Sequence, residues 1–131
     1  MNSKGLQKII YAEDEEDIRA IAQIALEDIG SFTVKYCLNG HEVLEAVKDF
    51  QPDLFLLDVM MPTMDGPSAL RKLKQIPQMA NVPAIFMTAK IQPKEVEEYK
   101  SIGAIDVIHK PFDPITLADD IKKIWNKFYD E

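Results

Sequence analysis

Two spacings of apolar residues take turns along this chain. Short apolar runs bounded by breakers fall at Leu6–Ala12, Phe32–Leu38, Asp53–Asp58, Ala84–Thr88 and Ala104–His109. Each is too short for a helix and predicts a strand. Between them, apolar residues recur three or four apart. Glu15–Ile29 predicts a helix with Ile18, Ile21, Ala22, Ala25, Leu26 and Ile29 on one face, stopped by Gly30. Asn39 predicts the cap of a second helix, with Glu42 at capping-box spacing and Val43, Val47 and Phe50 inward. Gly66-Pro67 begins a third, with Ala69, Leu70, Leu73 and Ile76 inward. Pro93–Ile102, closed by Gly103, predicts a fourth. Asp113 caps the last, with Pro114 at its first position and Leu117, Ile121, Ile124 and Phe128 as its buried stripe.

Five strands alternating with five helices over short connections predict an α/β fold. It is a five-stranded parallel sheet, doubly wound, with helices on both faces. Parallel strands end at one common edge, and open sheets of this kind bind ligands beyond that edge. The chemistry of this chain falls there. Strand one ends in Glu13-Asp14, strand three in Asp58, strand four in Thr88 and strand five in Lys110. Taken singly, each has an ordinary explanation. An aspartate ending a strand can face solvent. Glu15, Glu16 and Asp17 suit the positive end of the helix dipole. The dipole does not explain why two acids, Glu13 and Asp14, sit at the end of strand one itself. Three clustered carboxylates repel unless a cation joins them. Oxygen-only ligands with room for water suit magnesium better than zinc. A carboxylate beside such an ion can attack phosphorus. Lys110 and Thr88 offer a charge and a hydroxyl for the phosphoryl oxygens.

Composition narrows the picture further. The chain has 131 residues, 47% hydrophobic and 28% charged, enough for one domain with a real core. A net charge of −7 and a pI near 4.8 argue against direct nucleic-acid binding and against anionic membrane surfaces. The one cysteine, Cys37, has no partner for a disulfide or a zinc site and reads as a packed thiol. There is no apolar run of membrane-spanning length and no signal peptide, so a cytoplasmic protein is expected.

The blocks IIYAEDEEDIR, PDLFLLDVMMPTMDG, AIFMTAK and GAIDVIHKPF, in that order, resemble the receiver domains of bacterial two-component response regulators. The resemblance covers nearly all of residues 1–131. It implies the flavodoxin-like strand order 2-1-3-4-5 and a phosphoacceptor role for Asp58, with Glu13 and Asp14 as the acidic pair that binds Mg2+. The main-chain carbonyl of Met60 would complete the protein's metal ligands. Thr88 would be the switch hydroxyl and Lys110 the phosphate-pairing lysine, joined to Pro111 by a cis peptide. The implied donor is a sensor histidine kinase or a histidine phosphotransfer protein. The implied output is a protein partner on the face of the fourth helix, fifth strand and fifth helix, a face that could also serve a homodimer. Lys94, Lys122, Lys123 and Lys127 would give that face basic character. The chain would act as a switch, catalysing at most its own phosphorylation and dephosphorylation.

Two positions depart from the family pattern. Glu13 stands where many members have Asp, and a longer arm would hold the metal through water. Val107 stands three residues before the lysine, where many receivers carry Tyr or Phe as a rotamer switch. Tyr99 on the fourth helix could compensate, although a helix-face aromatic is more often core. His109 is expected to point away from Lys110, His41 to be solvated, and Met60, Met61 and Met64 to pack around the turn. Asp65 would shape the turn into the third helix. A hydrolase with an aspartate nucleophile would need a second Asp where Met60 stands. A receiver-like scaffold working without phosphorylation is the remaining alternative. The start at Met1 and the end soon after the fifth helix suggest a single-domain or N-terminal receiver.

Overall fold

A computed structural model describes residues 5–130. Five strands, β1 (Lys8–Ala12), β2 (Thr33–Cys37), β3 (Leu54–Asp58), β4 (Ala84–Thr88) and β5 (Ala104–His109), alternate with helices. The helices are α1 (Glu16–Gln23), α2 (Gly40–Ala46), α3 (Gly66–Leu73), α4 (Pro93–Ile102) and α5 (Leu117–Asp130). The sheet is wholly parallel, in the order β2-β1-β3-β4-β5. This is the doubly wound, flavodoxin-like arrangement expected from the alternation and the resemblance.

Period-two alternation divides each strand between two cores. Ile9, Tyr11, Leu56, Ile85 and Met87 pack beneath α1 and α5. Ile10, Phe55, Leu57 and Phe86 pack beneath α2, α3 and α4. Every residue of β3 and β4 is buried, as strands covered on both faces must be. Cys37 is buried, and burial pushes its thiol up to about 11, as befits packing rather than redox chemistry.

Three helix details differ from expectation. After Gln23 the first helix continues as a π-helix over Ile24–Ile29, with Gly30 N–H donating to the Ala25 carbonyl at 3.1 Å. Ala22, Ala25 and Leu26 meet the sheet, while Ile21 and Ile29 are 46% and 45% exposed. The small alanines seat the helix close to the strands, and the wider π turn rotates Ile29 off the face. At the other end of the chain, Trp125 rather than Phe128 completes the buried stripe of α5. Phe128 stands at the rim, edge-on to Tyr129. Finally, α5 begins at Leu117 and not at Pro114. Asp113 accepts from the Ile115 N–H at 2.9 Å, so its carboxylate caps a turn that precedes the helix.

Candidate phosphoacceptor site

The strand ends are aligned by backbone bonds that outlast the strands. Glu13 N–H donates to the Cys37 carbonyl, Val59 N–H to Met87 and Lys110 N–H to Thr88, all within 3.0 Å. Glu13, Asp58 and Thr88 are the buried polar or charged residues among those described. Gly66 sits under this edge, where a Cβ would stand 2.4 Å from the Asp58 carbonyl oxygen. Only glycine allows α3 to start this close to the end of β3.

Lys110 ties the charged groups together. Its Nζ lies 2.9 Å from Asp58 Oδ2 and 2.9 Å from Glu13 Oε1. The other Glu13 oxygen accepts from the Glu15 N–H at 3.1 Å. Arg19 Nη1 donates to the Glu13 carbonyl at 2.9 Å. Asp14 stands exposed at the rim, and ligand oxygens of Glu13, Asp14 and Asp58 all lie within 4.8 Å of one another. Burial pushes the Asp58 carboxyl up to about 6; Lys110 opposes the rise and the Glu13 charge adds to it. Burial would lower the Lys110 ammonium, but its bonds to Asp58 and Glu13 outweigh that, and its pKa is raised.

This donor set fits a hard divalent cation. It is all oxygen, and three carboxylates against one ammonium leave an excess of negative charge. Both Glu13 oxygens are already engaged, whereas Asp14 is open to solvent. That suits Glu13 to a place behind the ion, with water between. Met60 follows in the loop and is 75% exposed, so its side chain does not pack around the turn as expected.

Thr88 is near this cluster but is not hydrogen-bonded to it. The β3–β4 register pairs Asp58 with Met87, placing Thr88 one residue further along the neighbouring strand. Its hydroxyl accepts from the Lys90 N–H at 3.2 Å and donates to the Lys90 carbonyl at 3.3 Å. His109 and His41 are exposed, and Asp65 caps α3 by accepting from the Ser68 N–H at 2.8 Å. The Lys110–Pro111 peptide is cis.

Two contributors escaped the sequence. Arg19, on α1, steadies the Glu13 backbone. Tyr11, on the same face of β1 as Glu13, is buried with its hydroxyl unpartnered among the described residues. Burial, then the Glu13 and Asp58 charges, raise the Tyr11 pKa. No motif announces either role, because both depend on how α1 crosses β1.

Comparison with known proteins agrees with the fold and shows the family. The response regulator receiver domain model matches residues 9–122, and the chain belongs to that family. Sporulation initiation phosphotransferase F of Bacillus subtilis is 34% identical over 117 residues, which are 89% of this chain and 92% of that protein. Transcriptional regulatory protein CseB of Streptomyces avermitilis is 35% identical over 120 residues. The chain covers 92% of itself in that match but only 49% of CseB, and it spans about half the length of several such regulators. Among solved structures, the chemotaxis response regulator CheY4 of Vibrio cholerae superposes with a TM-score of 0.84 at 27% identity, over 92% of this chain and 99% of that one. Residues 9–122 are thus a receiver domain of two-component signal transduction, and receivers of this family are phosphoacceptor switches rather than classical enzymes. Receivers of this family bind Mg2+ at an acidic pocket and interact with histidine kinases or phosphotransfer proteins. No helix among the described residues is long and apolar enough to cross a membrane.

Proposed function

We propose that residues 1–131 form one receiver domain in which Asp58 accepts a phosphoryl group from a phosphohistidine of a sensor kinase or a histidine phosphotransfer protein. An Asp58 oxygen attacks phosphorus, the P–N bond breaks, and the donor imidazole leaves with the electron pair. The observation that carries this reading is Lys110 Nζ at 2.9 Å from both Asp58 and Glu13. A cation is already seated where the phosphoryl oxygens would arrive.

Glu13, Asp14, Asp58 and the Met60 carbonyl would hold a magnesium ion, whose positive charge would offset the charge that develops on the phosphoryl oxygens. Lys110 then exchanges a carboxylate oxygen for a phosphoryl oxygen, and the Thr88 hydroxyl exchanges Lys90 for another. The same groups would assist hydrolysis, so what this chain catalyses is its own phosphorylation and dephosphorylation. The reaction belongs in the cytoplasm, where the kinase domains that supply phosphohistidine work. Output passes to a protein partner over α4, β5 and α5, or to a second copy of the chain. A groove of about 510 Å³ there is lined by Lys100, Ile105, Asp106, Lys123, Ile124 and Lys127. Of the other lysines expected on this face, Lys122 instead lies over the Phe32 ring on the α1 side.

Intact mass after incubation with acetyl phosphate tests the reading. One phosphoryl adduct is expected in the wild type with magnesium, and none without magnesium or in Asp58→Asn. No adduct under conditions that label a control receiver would leave a phosphorylation-independent scaffold as the function.

A further inference from the structure

Val107 is small where many receivers have a ring, and it pairs in register with Phe86 on the neighbouring strand. The aromatic ring packed against Phe86 comes from another element. Tyr99 extends from α4 with its ring edge-on to Phe86, the centroids 5.1 Å apart and the planes at 77°. Tyr99, Ile102 and Val107 all pack on the core that contains Phe86. Tyr99 is the largest side chain of α4, a helix with no fully buried residue.

Phe86 precedes Thr88 by two residues, so both point to the same face of β4. Both hydrogen bonds of the Thr88 hydroxyl go to Lys90, in the loop that leads into α4. That loop is exposed from Ala89 to Gln92, and Gln92 gives α4 no side-chain cap. Two ties therefore join α4 to the strand that carries Thr88. One is the pair of Lys90 bonds at the approach to the helix. The other is the Tyr99 ring on Phe86, one turn before the C-terminus. That terminus is a fixed point: Gly103, at φ +132°, turns the chain into β5, and Lys74 fills the space where a Cβ would stand.

We propose that Tyr99 is the positioning residue through which the state of Thr88 reaches α4. This rests on the phosphoacceptor reading above. When Thr88 turns its hydroxyl towards an anion on Asp58, both Lys90 bonds are lost and the approach to α4 is released. The helix then swings about Gly103, and the ring sliding on Phe86 guides the swing. A ring mounted on β5 could turn by side-chain rotation. A ring mounted on α4 and wedged against Phe86 moves with its helix, and the small Val107 leaves it room. The output helix is then itself the moving part, a two-state element biased by the site.

Beryllium fluoride with magnesium, as a phosphoryl mimic, tests this by two readouts on each variant. Fluorine NMR reports the adduct on Asp58, and hydrogen exchange reports the peptide covering residues 93–102. In the wild type and Tyr99→Phe, the adduct should change exchange across α4 by about fivefold or more. In Tyr99→Ala the adduct should form equally while the α4 response disappears. Ile102→Ala, which removes the other apolar contact of α4, should keep the response. Tyr99→Leu retains an apolar contact and is read in the same way should the alanine variant not fold. An unchanged response in Tyr99→Ala, or equal loss in Ile102→Ala, overturns the proposal while the adduct still upholds the phosphoacceptor reading. Absence of an adduct in the wild type overturns both.

Discussion

The helices on either side of β4 make the most instructive contrast in this molecule. α3 buries Gly66, Ala69, Leu70 and Leu73, and its first turn is capped by the Asp65 side chain. α4 buries no residue fully and has no side-chain cap. Both lie on the same face of the sheet but meet the site differently, α3 starting against the Asp58 carbonyl and α4 tied through Lys90 to Thr88. The α3 end of the site is thereby held in place, and with it Asp58 and the Lys110 ammonium it binds. The other is attached lightly enough for one hydroxyl to change its position. A switch needs both, because local opening is drawn from the least buried elements.

The contrast breaks most visibly if α3 is loosened. Leu70→Ala should cost about 3 kcal/mol, since it leaves a cavity in a fully covered core. Val96→Ala in α4 should cost less than about 1 kcal/mol. Urea denaturation of both checks the ranking, and equal costs would refute the contrast. The rigid side also imposes an electrostatic cost. In the folded chain burial pushes Asp58 up to about 6 from an ordinary value near 3.8, so between these values the unfolded chain is ionised and the folded one still protonated. Stability from this group should therefore fall as pH rises from about 4 to 6, by on the order of 2 kcal/mol. Asp58→Asn should flatten that slope and be the more stable protein at pH 7. Magnesium should recover part of the loss in the wild type alone. Thermal melts across this pH range with and without magnesium measure all three effects.

Smaller effects sharpen the comparison. Asp65→Ala should cost about 1 kcal/mol by removing the cap of α3. In the opposite sense, Gln92→Ser would complete a capping box with Glu95 and should stabilise α4 by about 0.5 kcal/mol. Slower hydrogen exchange confined to α4 is the expected sign. Tyr11→Phe should be close to neutral or slightly stabilising, because the hydroxyl it removes has no partner. A loss of more than about 1 kcal/mol there would mean that an internal water satisfies Tyr11.

How well each element could be read follows from the range of the interactions that define it. β3 and β4 were plain because residues buried on both faces must be apolar throughout. The Asn39 cap was plain because a cap acts within three residues of chain, whereas Asp65 was legible only as a turn residue and proves to cap α3. The first helix was misread at Ile29, where a π turn shifts the phase that helical spacing assumes, and at Ile21, which lies at the exposed rim of the packed face. Phe128 was misplaced because Trp125 and Phe128 are both admissible for the stripe, and the crossing of α5 over the sheet chooses between them. At the site, the strand-end positions of Glu13, Asp14, Asp58, Thr88 and Lys110 were legible. The reach of Lys110 to both acids, the hold of Arg19 on Glu13 and the attachment of Thr88 to Lys90 were not.

The order of apolar runs and breakers by itself determined the α/β class, the alternation of elements and the gathering of acids, hydroxyl and lysine at one sheet edge. These follow from local periodicity and from the handedness of crossovers, which any chain with this pattern must obey. The tertiary structure alone decided that Lys110 touches both Asp58 and Glu13, which way Thr88 turns and which ring packs against Phe86. Those outcomes depend on ångström-scale distances between residues far apart in the chain, and no spacing along the sequence encodes them.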